Sequence, residues 1–558
     1  MNTKLHSLLR RLQPWAFPAV AWLILSLMSL VMMHHAIGCT PAVFLTDAAW
    51  VLLPWVLMPQ RWRSWWLILP ALYAASLMAN ACVFRVFGDF IPVDYFFRTS
   101  SYQTEVLASA RSILRPIDAV YPVGVITIIV LWFVRYRRTS QDFSLRTKIV
   151  ATLAALLFSF AGYCFQIYRE VQKTHQPYGE CFIFCLKLKH CLNQDFTHSG
   201  YLISYAHHAI DWLQPVSDLT PEERAAAQQF HLQGQLPAEL HQAFTANHGK
   251  DLIVVMVESL SSVELNTRVN GVELTPTLDS LMQDSTVLSL TDIQSIVAIG
   301  YSSDGHLMTL TGLAPASASA LSYTPYYTAL PSIIRAGKFA STHSFSGDSP
   351  FIWQAHRYLS AAGVDNIVGM LCDNPSQGKD ELIFHEALQQ LRTAPQPFFA
   401  MVITVTMHPP YLAEKSPTTA IANAPIDDNL KWFYQATRYT DQCIADFLSA
   451  LKDSGLYNNS VIVIVGDHSC QLVNDSPIPM FILNAGVPHR ITADRALTQL
   501  DIYPTLLDVM DLAHTATWPG MGQSALRPGL TPLTDDELHQ RSVLSQRLLQ
   551  TDYFRTTP

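Results

Sequence analysis

"SVIVIVGDHSC", residues 460–470, is a run of β-branched residues that stops on a carboxylate and an imidazole. Val461 to Val465 offer no polar side chain, so as a strand the run needs apolar cover on both faces, which is the pattern of a parallel sheet between helices. A solvated turn accounts for Asp467 and His468. A metal site accounts for them too, provided other parts of the chain supply partners. "DLIVVMVE" (251–258) and "FFAMVITVTMH" (398–408) are similar apolar runs, ending on Glu258 and His408. Between and after them, "PTLDSLMQD" (276–284), "NLKWFYQATRYTDQCIADFLSALKDSG" (429–455) and "TQLDIYPTLLDVMDL" (498–512) have helical spacing, and "PMFILNA" (479–485) reads as a further strand. The alternation predicts an α/β domain with a mainly parallel central sheet, whose ligands lie at the carboxyl ends of the strands. If the three strands are neighbours, Glu258, His408, Asp467 and His468 share one rim.

Two carboxylates and a neutral imidazole suit a divalent cation, and manganese, zinc and magnesium all remain open on that set. A hydroxyl completes a nucleophilic site, since coordination lowers its pKa toward neutral. "AIGYSSDGHLMTLTGL" (298–313) offers one at Ser302 or Ser303, at the start of a predicted helix where free amides and the helix dipole favour an anion. Each residue also has an ordinary explanation. Ser-Ser-Asp is a common N-cap, a Glu at a strand end is commonly a surface group, and His408 precedes two prolines against which it can pack. It is the combination that points to chemistry.

The chain has 558 residues, 49% hydrophobic and only 14% charged, too long for one ordinary domain and too apolar for a soluble one. Its net charge of −8 argues against nucleic acid as a partner. Five apolar stretches, Trp15–Met33, Pro41–Met58, Trp65–Phe84, Ala119–Val134 and Ile149–Tyr168, approach the roughly 17–25 residues of a membrane-crossing helix, although Asp47 interrupts the second. Lys4, Arg10 and Arg11, then Arg61 and Arg63, then Arg135, Arg137, Arg138, Arg146 and Lys148 mark alternate connectors. The positive-inside rule therefore puts the N-terminus in the cytoplasm and everything after Tyr168 outside. The first stretch lacks the small-residue cleavage site of a signal peptide. The expected organisation is a five-helix membrane domain (1–168), juxtamembrane helices and linker (169–247) with a helix opening at Thr220-Pro221, and an extracytoplasmic domain (248–558). Cys181, Cys185 and Cys191 form the one close cysteine group, read as apolar residues or one local disulfide.

"VESLSS", "GYSSDGHLM", "TVTMHPPY" and "VGDHS", in that order and spacing, resemble the lipoteichoic acid synthase family of phosphoglycerol transferases, within the alkaline phosphatase/sulfatase superfamily. "SILRPIDAV" (112–120) resembles that family's external loop, and "LTQLDIYPTLLDVMDL" its closing helix. The resemblance implies an alkaline-phosphatase/sulfatase-like fold after five transmembrane helices in the cell membrane. It implies Glu258, Ser302, Asp467 and His468 as ligands of one divalent metal, manganese first, with Ser302 as the nucleophile where the family usually has threonine. His408 and Trp353 fall at substrate-contacting positions. The arginine expected two residues after Trp353 is Ala355 here, leaving Arg357 as its replacement. His306 and His343 are further candidates for substrate contact. The implied reaction moves phosphoglycerol from phosphatidylglycerol in the outer leaflet to a glycan or polyol-phosphate acceptor through a phospho-serine. Phosphoethanolamine transfer from phosphatidylethanolamine is the alternative. A sulfatase is disfavoured, because Pro and Arg do not follow Ser302 at the required offsets.

Overall fold

The computed structural model describes residues 13–36, 41–87, 90–91, 114–137, 142–174, 200–213, 217–298, 300–315, 329–347, 355–369, 379–408, 411, 418–470, 472–473 and 476–556. They fall into two compact units, Met1–Pro215 and Val216–Pro558. Trp353 and the group Cys181, Cys185 and Cys191 lie outside the described residues.

In the first unit, helices α1 (Ala16–Ala36), α2 (Pro41–Leu57), α3 (Ile68–Phe87), α4 (Val120–Leu131) and α5 (Leu145–Thr174) coincide with the five apolar stretches. Four segments, Gln13–Met32, Trp65–Cys82, Pro116–Tyr136 and Leu145–Phe165, are long and apolar enough to cross a membrane, and α2 contributes the shorter Thr46–Leu57. A sixth helix, α6 (Tyr201–Leu213), explains the acid in α2. Asp47 accepts hydrogen bonds from the Tyr201 and Leu202 amides at 2.9 and 3.1 Å, so it satisfies the free N–H groups at the start of α6. Asn80 of α3 adds a second tie, donating to the Tyr201 hydroxyl and accepting from that of Tyr205. A buried carboxylate with such partners is a structural clamp. Arg63, one of the topology-marking charges, is buried with its guanidinium 4.3 Å from the Trp55 ring and its Nε donating to the Trp55 carbonyl.

The second unit starts earlier than the sequence pattern implies. Helix α7 (Pro221–Gln228) opens as predicted, with Thr220 as N-cap, Glu223 closing a capping box and Pro221 at the first helical position. Helix α8 (Ala238–Phe244) follows. Residues up to 247 read as a surface linker, yet Leu219, Leu240 and Phe244 are buried in the same core as the sheet. Asn247 donates to the carbonyls of Ala485 and Val509, both at 2.8 Å. A few apolar anchors spaced among charged residues carry this packing, and average polarity hides them.

The sheet strands are β1 (Asp251–Val257), β4 (Leu288–Gln294), β5 (Ser341–Ser346), β6 (Asn366–Val368), β7 (Phe398–Ile403), β8 (Ser460–Gly466), β9 (Ile478–Leu483) and β10 (Leu497–Thr498), with β2 (Arg268–Val269) and β3 (Val272–Glu273) in a separate hairpin. Their order is β10-β4-β9-β8-β1-β7-β5-β6. Only β9 runs antiparallel to its neighbours; the other described pairings in this sheet are parallel. Alternate residues feed two cores: Leu252, Val254 and Met256 of β1 face one, and Ile253, Val255 and Val257 the other. Helices α10 (Ser302–Thr311), α11 (Ala355–Ala362) and α14 (Ile502–Val509) cover the first face through Leu307, Leu359 and Leu506. Helices α9 (Pro276–Gln283), α12 (Lys379–Leu391) and α13 (Asp428–Asp453) cover the second through Leu278, Phe384 and Phe433. Val461 to Val465 are fully buried, each aliphatic side chain contributing roughly 1.5–3 kcal/mol. The sheet thereby holds the ends of β1, β7 and β8 side by side.

Candidate functional site

Strand register brings the first ligands together. Val257 pairs with Gly466, so the next residues, Glu258 and Asp467, emerge at the same level of the rim. Ser259 takes a positive φ of 54°, turning its amide back to donate to Asp467 Oδ1 at 2.8 Å. The same oxygen accepts from the His468 amide at 2.8 Å, while Asp467 Oδ2 is buried without a hydrogen-bond partner among the described residues. Glu258 receives the Ser259 hydroxyl on Oε1 at 2.8 Å and the Ser302 hydroxyl on Oε2 at 3.1 Å. Ser302 Oγ is also 3.2 Å from His468 Nε2. Ligand atoms of Glu258, Asp467 and His468 all lie within 4.8 Å of one another, and all three residues are buried.

Helix α10 delivers Ser302 through an unusual entry. Tyr301, just before it, has φ 40° and ψ −110°, a sparsely populated conformation of the kind that collects at functional sites. Gly300 is needed for space: a Cβ there would meet Asp304 Oδ1 at 2.3 Å, because Asp304 accepts from the Ala298 and Gly300 amides. Gly305 is tighter still, with a Cβ falling 2.0 Å from the Asp467 carbonyl oxygen. Ser303 is otherwise engaged, its hydroxyl donating to the Gly300 carbonyl at 2.8 Å.

The cluster suits a cation on its own chemistry. His468 Nδ1 lies 2.9 Å from the Ser469 carbonyl, which can only accept, so that nitrogen carries a proton and Nε2 is the atom that, once deprotonated, would face a cation beside Ser302. Asp467 Oδ2, shut off from solvent and without a hydrogen-bond partner among the described residues, is the oxygen a cation would take up. Burial drives the Asp467 carboxyl up to about 7, with Glu258 reinforcing and His468 opposing. Burial also disfavours a charged His468, but Asp467 and Glu258 outweigh it and lift the imidazole to about 10. Burial raises Glu258 as well, yet the hydrogen bond and charge of His468 hold it well below the usual carboxylate range. These groups need a shared positive charge. His248, Asp511 and His514 form a second group of ligand type, but both its histidines are exposed, and His248 stands just before the start of β1, at the end opposite the carboxyl rim.

His408 ends the turn after β7, and its charge is one of the influences lowering Glu258. Buried Asp380 shapes that turn, accepting from the amides of Val405 and Thr406 and from the Thr440 hydroxyl. Arg357 is exposed on α11. His343 lies within β5, with Nδ1 at 3.0 Å from Asn366 Nδ2 and Nε2 at 3.1 Å from Ser341 Oγ, a strand-pairing role. His306 sits behind Asp467, with Nδ1 3.0 Å from the Tyr358 hydroxyl; burial holds the imidazole down near 4 despite the opposing charge of Glu258.

Two supporting residues escape a motif reading. Thr404 Oγ1 accepts from the Glu258 amide at 3.0 Å. Buried Gln499 donates to the Asp467 carbonyl and accepts from the Ile296 amide, joining the ligand turn to the segment before Ser302. Gly305 does leave a signal, since glycine inside a helix costs about 1 kcal/mol and calls for a packing reason.

Buried Glu264, with Oε1 lacking a hydrogen-bond partner among the described residues, has its carboxyl raised to about 8 by burial, opposed by the Ser261 amide. A carboxyl raised in the folded chain stabilises most below the ordinary glutamate range and loses that contribution as pH rises through about 8. Glu264→Gln cannot ionise. Its thermal midpoint should match the parent at pH 5 and exceed it at pH 8, the gap growing by at most about 1.4 kcal/mol per pH unit. Midpoints measured across that range check it.

The profile of the Sulfatase family matches residues 250–512, and that of the lipoteichoic acid synthase N-terminal domain matches residues 39–176. Lipoteichoic acid synthase 2 of Bacillus subtilis (strain 168) is 24% identical over 483 residues, 80% of this chain and 71% of that protein. Lipoteichoic acid synthase 1 of the same organism is 28% identical over 237 residues, covering 40% of this chain but only 37% of its own length. Among solved structures, the lipoteichoic acid synthase LtaP from Listeria monocytogenes aligns with a TM-score of 0.47 and 20% identity, over 61% of this chain and 99% of that one.

Proposed function

The chain is a lipoteichoic acid synthase-like member of the alkaline phosphatase/sulfatase superfamily, and from that premise we propose that it transfers phosphoglycerol from phosphatidylglycerol to a hydroxyl of a surface or periplasmic glycan or polymer. The observation that carries the proposal is the placement of Ser302 Oγ within 3.2 Å of both Glu258 and His468, at the rim of a buried carboxylate–imidazole cluster.

Glu258, Asp467, His468 and Ser302 would hold one divalent cation, manganese first among candidates. When bound, it would neutralise charge on the phosphoryl oxygens and lower the pKa of the hydroxyl it contacts. Ser302 Oγ, its hydroxyl proton released to solvent, attacks the headgroup phosphorus, forming an O–P bond while the P–O bond to diacylglycerol breaks. His408 binds a phosphoryl oxygen and supplies the proton that the departing diacylglycerol oxygen takes. An acceptor hydroxyl then attacks the same phosphorus, passing its proton to His408, and the Ser302 Oγ–P bond breaks, the serine oxygen regaining a proton from solvent. Trp353 and Arg357 contribute headgroup contacts in this reading. The alternating connector charges support a topology with the N-terminus in the cytoplasm and the second unit outside. Anchoring beside the outer leaflet raises the local concentration of a lipid donor and lets diacylglycerol stay in the bilayer.

The detergent-solubilised chain, incubated separately with phosphatidylglycerol and phosphatidylethanolamine carrying labelled headgroups, tests the donor. Label from phosphatidylglycerol should appear in the peptide containing Ser302. Label only from phosphatidylethanolamine would assign the chain to phosphoethanolamine transfer, and label from neither would remove the covalent transferase reading.

A further inference from the structure

Behind the cluster, two buried polar atoms face each other, each without a hydrogen-bond partner among the described residues. Asp467 Oδ2 and His306 Nε2 are 3.8 Å apart, and both are closed to solvent. An unsatisfied buried polar atom forfeits its hydration without return, so such a pair is unusual in a packed core. Their surroundings fix both in place. Asp467 is held through Oδ1 by the Ser259 and His468 amides, and through its carbonyl by Gln499, so Oδ2 is left pointing away from those bonds. His306 follows Ser302 by four residues on α10 and therefore stands on the same face of that helix, one turn deeper. Its Nδ1 meets the Tyr358 hydroxyl of α11 at 3.0 Å.

We propose that His306 is a positioning residue for the cation site, directing its Nε2–H at Asp467 Oδ2 while the Tyr358 hydroxyl, donating to Nδ1, sets the tautomer and the ring plane. The two atoms need to approach by only about 1 Å to reach hydrogen-bonding distance. A carboxylate ligand held this way presents one lone pair in one direction, as supporting groups around metal ligands do. Direct ligation by His306 fits less well, because it stands outside the set of ligand atoms that lie within 4.8 Å of one another. The inference deepens the proposed function and rests on its cation reading.

Manganese binding to the metal-free, detergent-solubilised full chain, followed by calorimetry and independent of any transfer activity, tests it. His306→Leu should weaken Mn2+ affinity about 10–100-fold. His306→Gln, which offers an amide N–H in place of Nε2–H, should recover most of that loss. Tyr358→Phe, which deletes one hydroxyl and keeps the ring, should weaken affinity in the same direction. Unchanged affinity in His306→Leu overturns the proposal, as does His306→Gln weakening binding as much as leucine does. If the leucine chain does not fold, unchanged affinity in Tyr358→Phe overturns it instead. A parent chain that binds no Mn2+ would fail the cation reading itself, an outcome separate from all of these.

Discussion

Ser302→Ala should take up no donor label, whereas Ser303→Ala should keep most of it. The two serines are adjacent, and either suits a helix start by composition alone. Their surroundings differ completely. Ser302 Oγ lies against Glu258 Oε2 and His468 Nε2, while Ser303 Oγ is buried and committed to the Gly300 carbonyl. Alanine at 302 removes the atom that would form the bond to phosphorus. At 303 it removes one hydrogen bond from the helix entry, a change of about 1 kcal/mol. Mass spectrometry of the labelled peptide distinguishes the two chains, and equal labelling would show that the nucleophile lies elsewhere.

Gly305→Ala should be nearly as severe although it touches no reacting atom. The new methyl group would sit 2.0 Å from the Asp467 carbonyl oxygen and 2.8 Å from its carbonyl carbon, both backbone atoms that no side-chain rotation can move aside. Helix α10 and the ligand turn must separate, which pulls Ser302 away from Glu258 and His468. Overpacking of this kind costs about 1–3 kcal/mol, and a displacement near 1 Å from reacting geometry costs about 10²-fold in rate. The labelling rate should therefore fall on the order of 10²-fold or more, with a lowered thermal midpoint. Gly455→Ala is the control: its φ of 81° strains alanine by roughly 1–2 kcal/mol, but no atom lies within 4 Å of the added methyl group. It should melt earlier and label at the parental rate.

The strands whose ends make the rim were legible because β1, β7 and β8 are apolar without interruption, and a sheet covered on both faces requires that. β5 was not, since "STHSFS" has one large apolar residue in six and takes its place from β7 and β6 on either side. Asp47 looked like a flaw in a membrane span because its partners, the Tyr201 and Leu202 amides, lie more than 150 residues away. At the site, chemistry-bearing side chains announced themselves at strand ends, but the groups that aim them did not. Thr404 and Gln499 are defined by partners remote in sequence, and no local pattern encodes such distances.

The burial of Leu219, Leu240 and Phe244 bears on how the second unit can be trimmed. A protease, or a designer of a soluble fragment, that cut near His248 would strip two helices off a greasy surface and lose the Asn247 clamp, leaving a sticky scar prone to clumping. A fragment that keeps this packing retains Ser217 and everything after it, since Arg547 holds the Ser217 and Asp218 carbonyls.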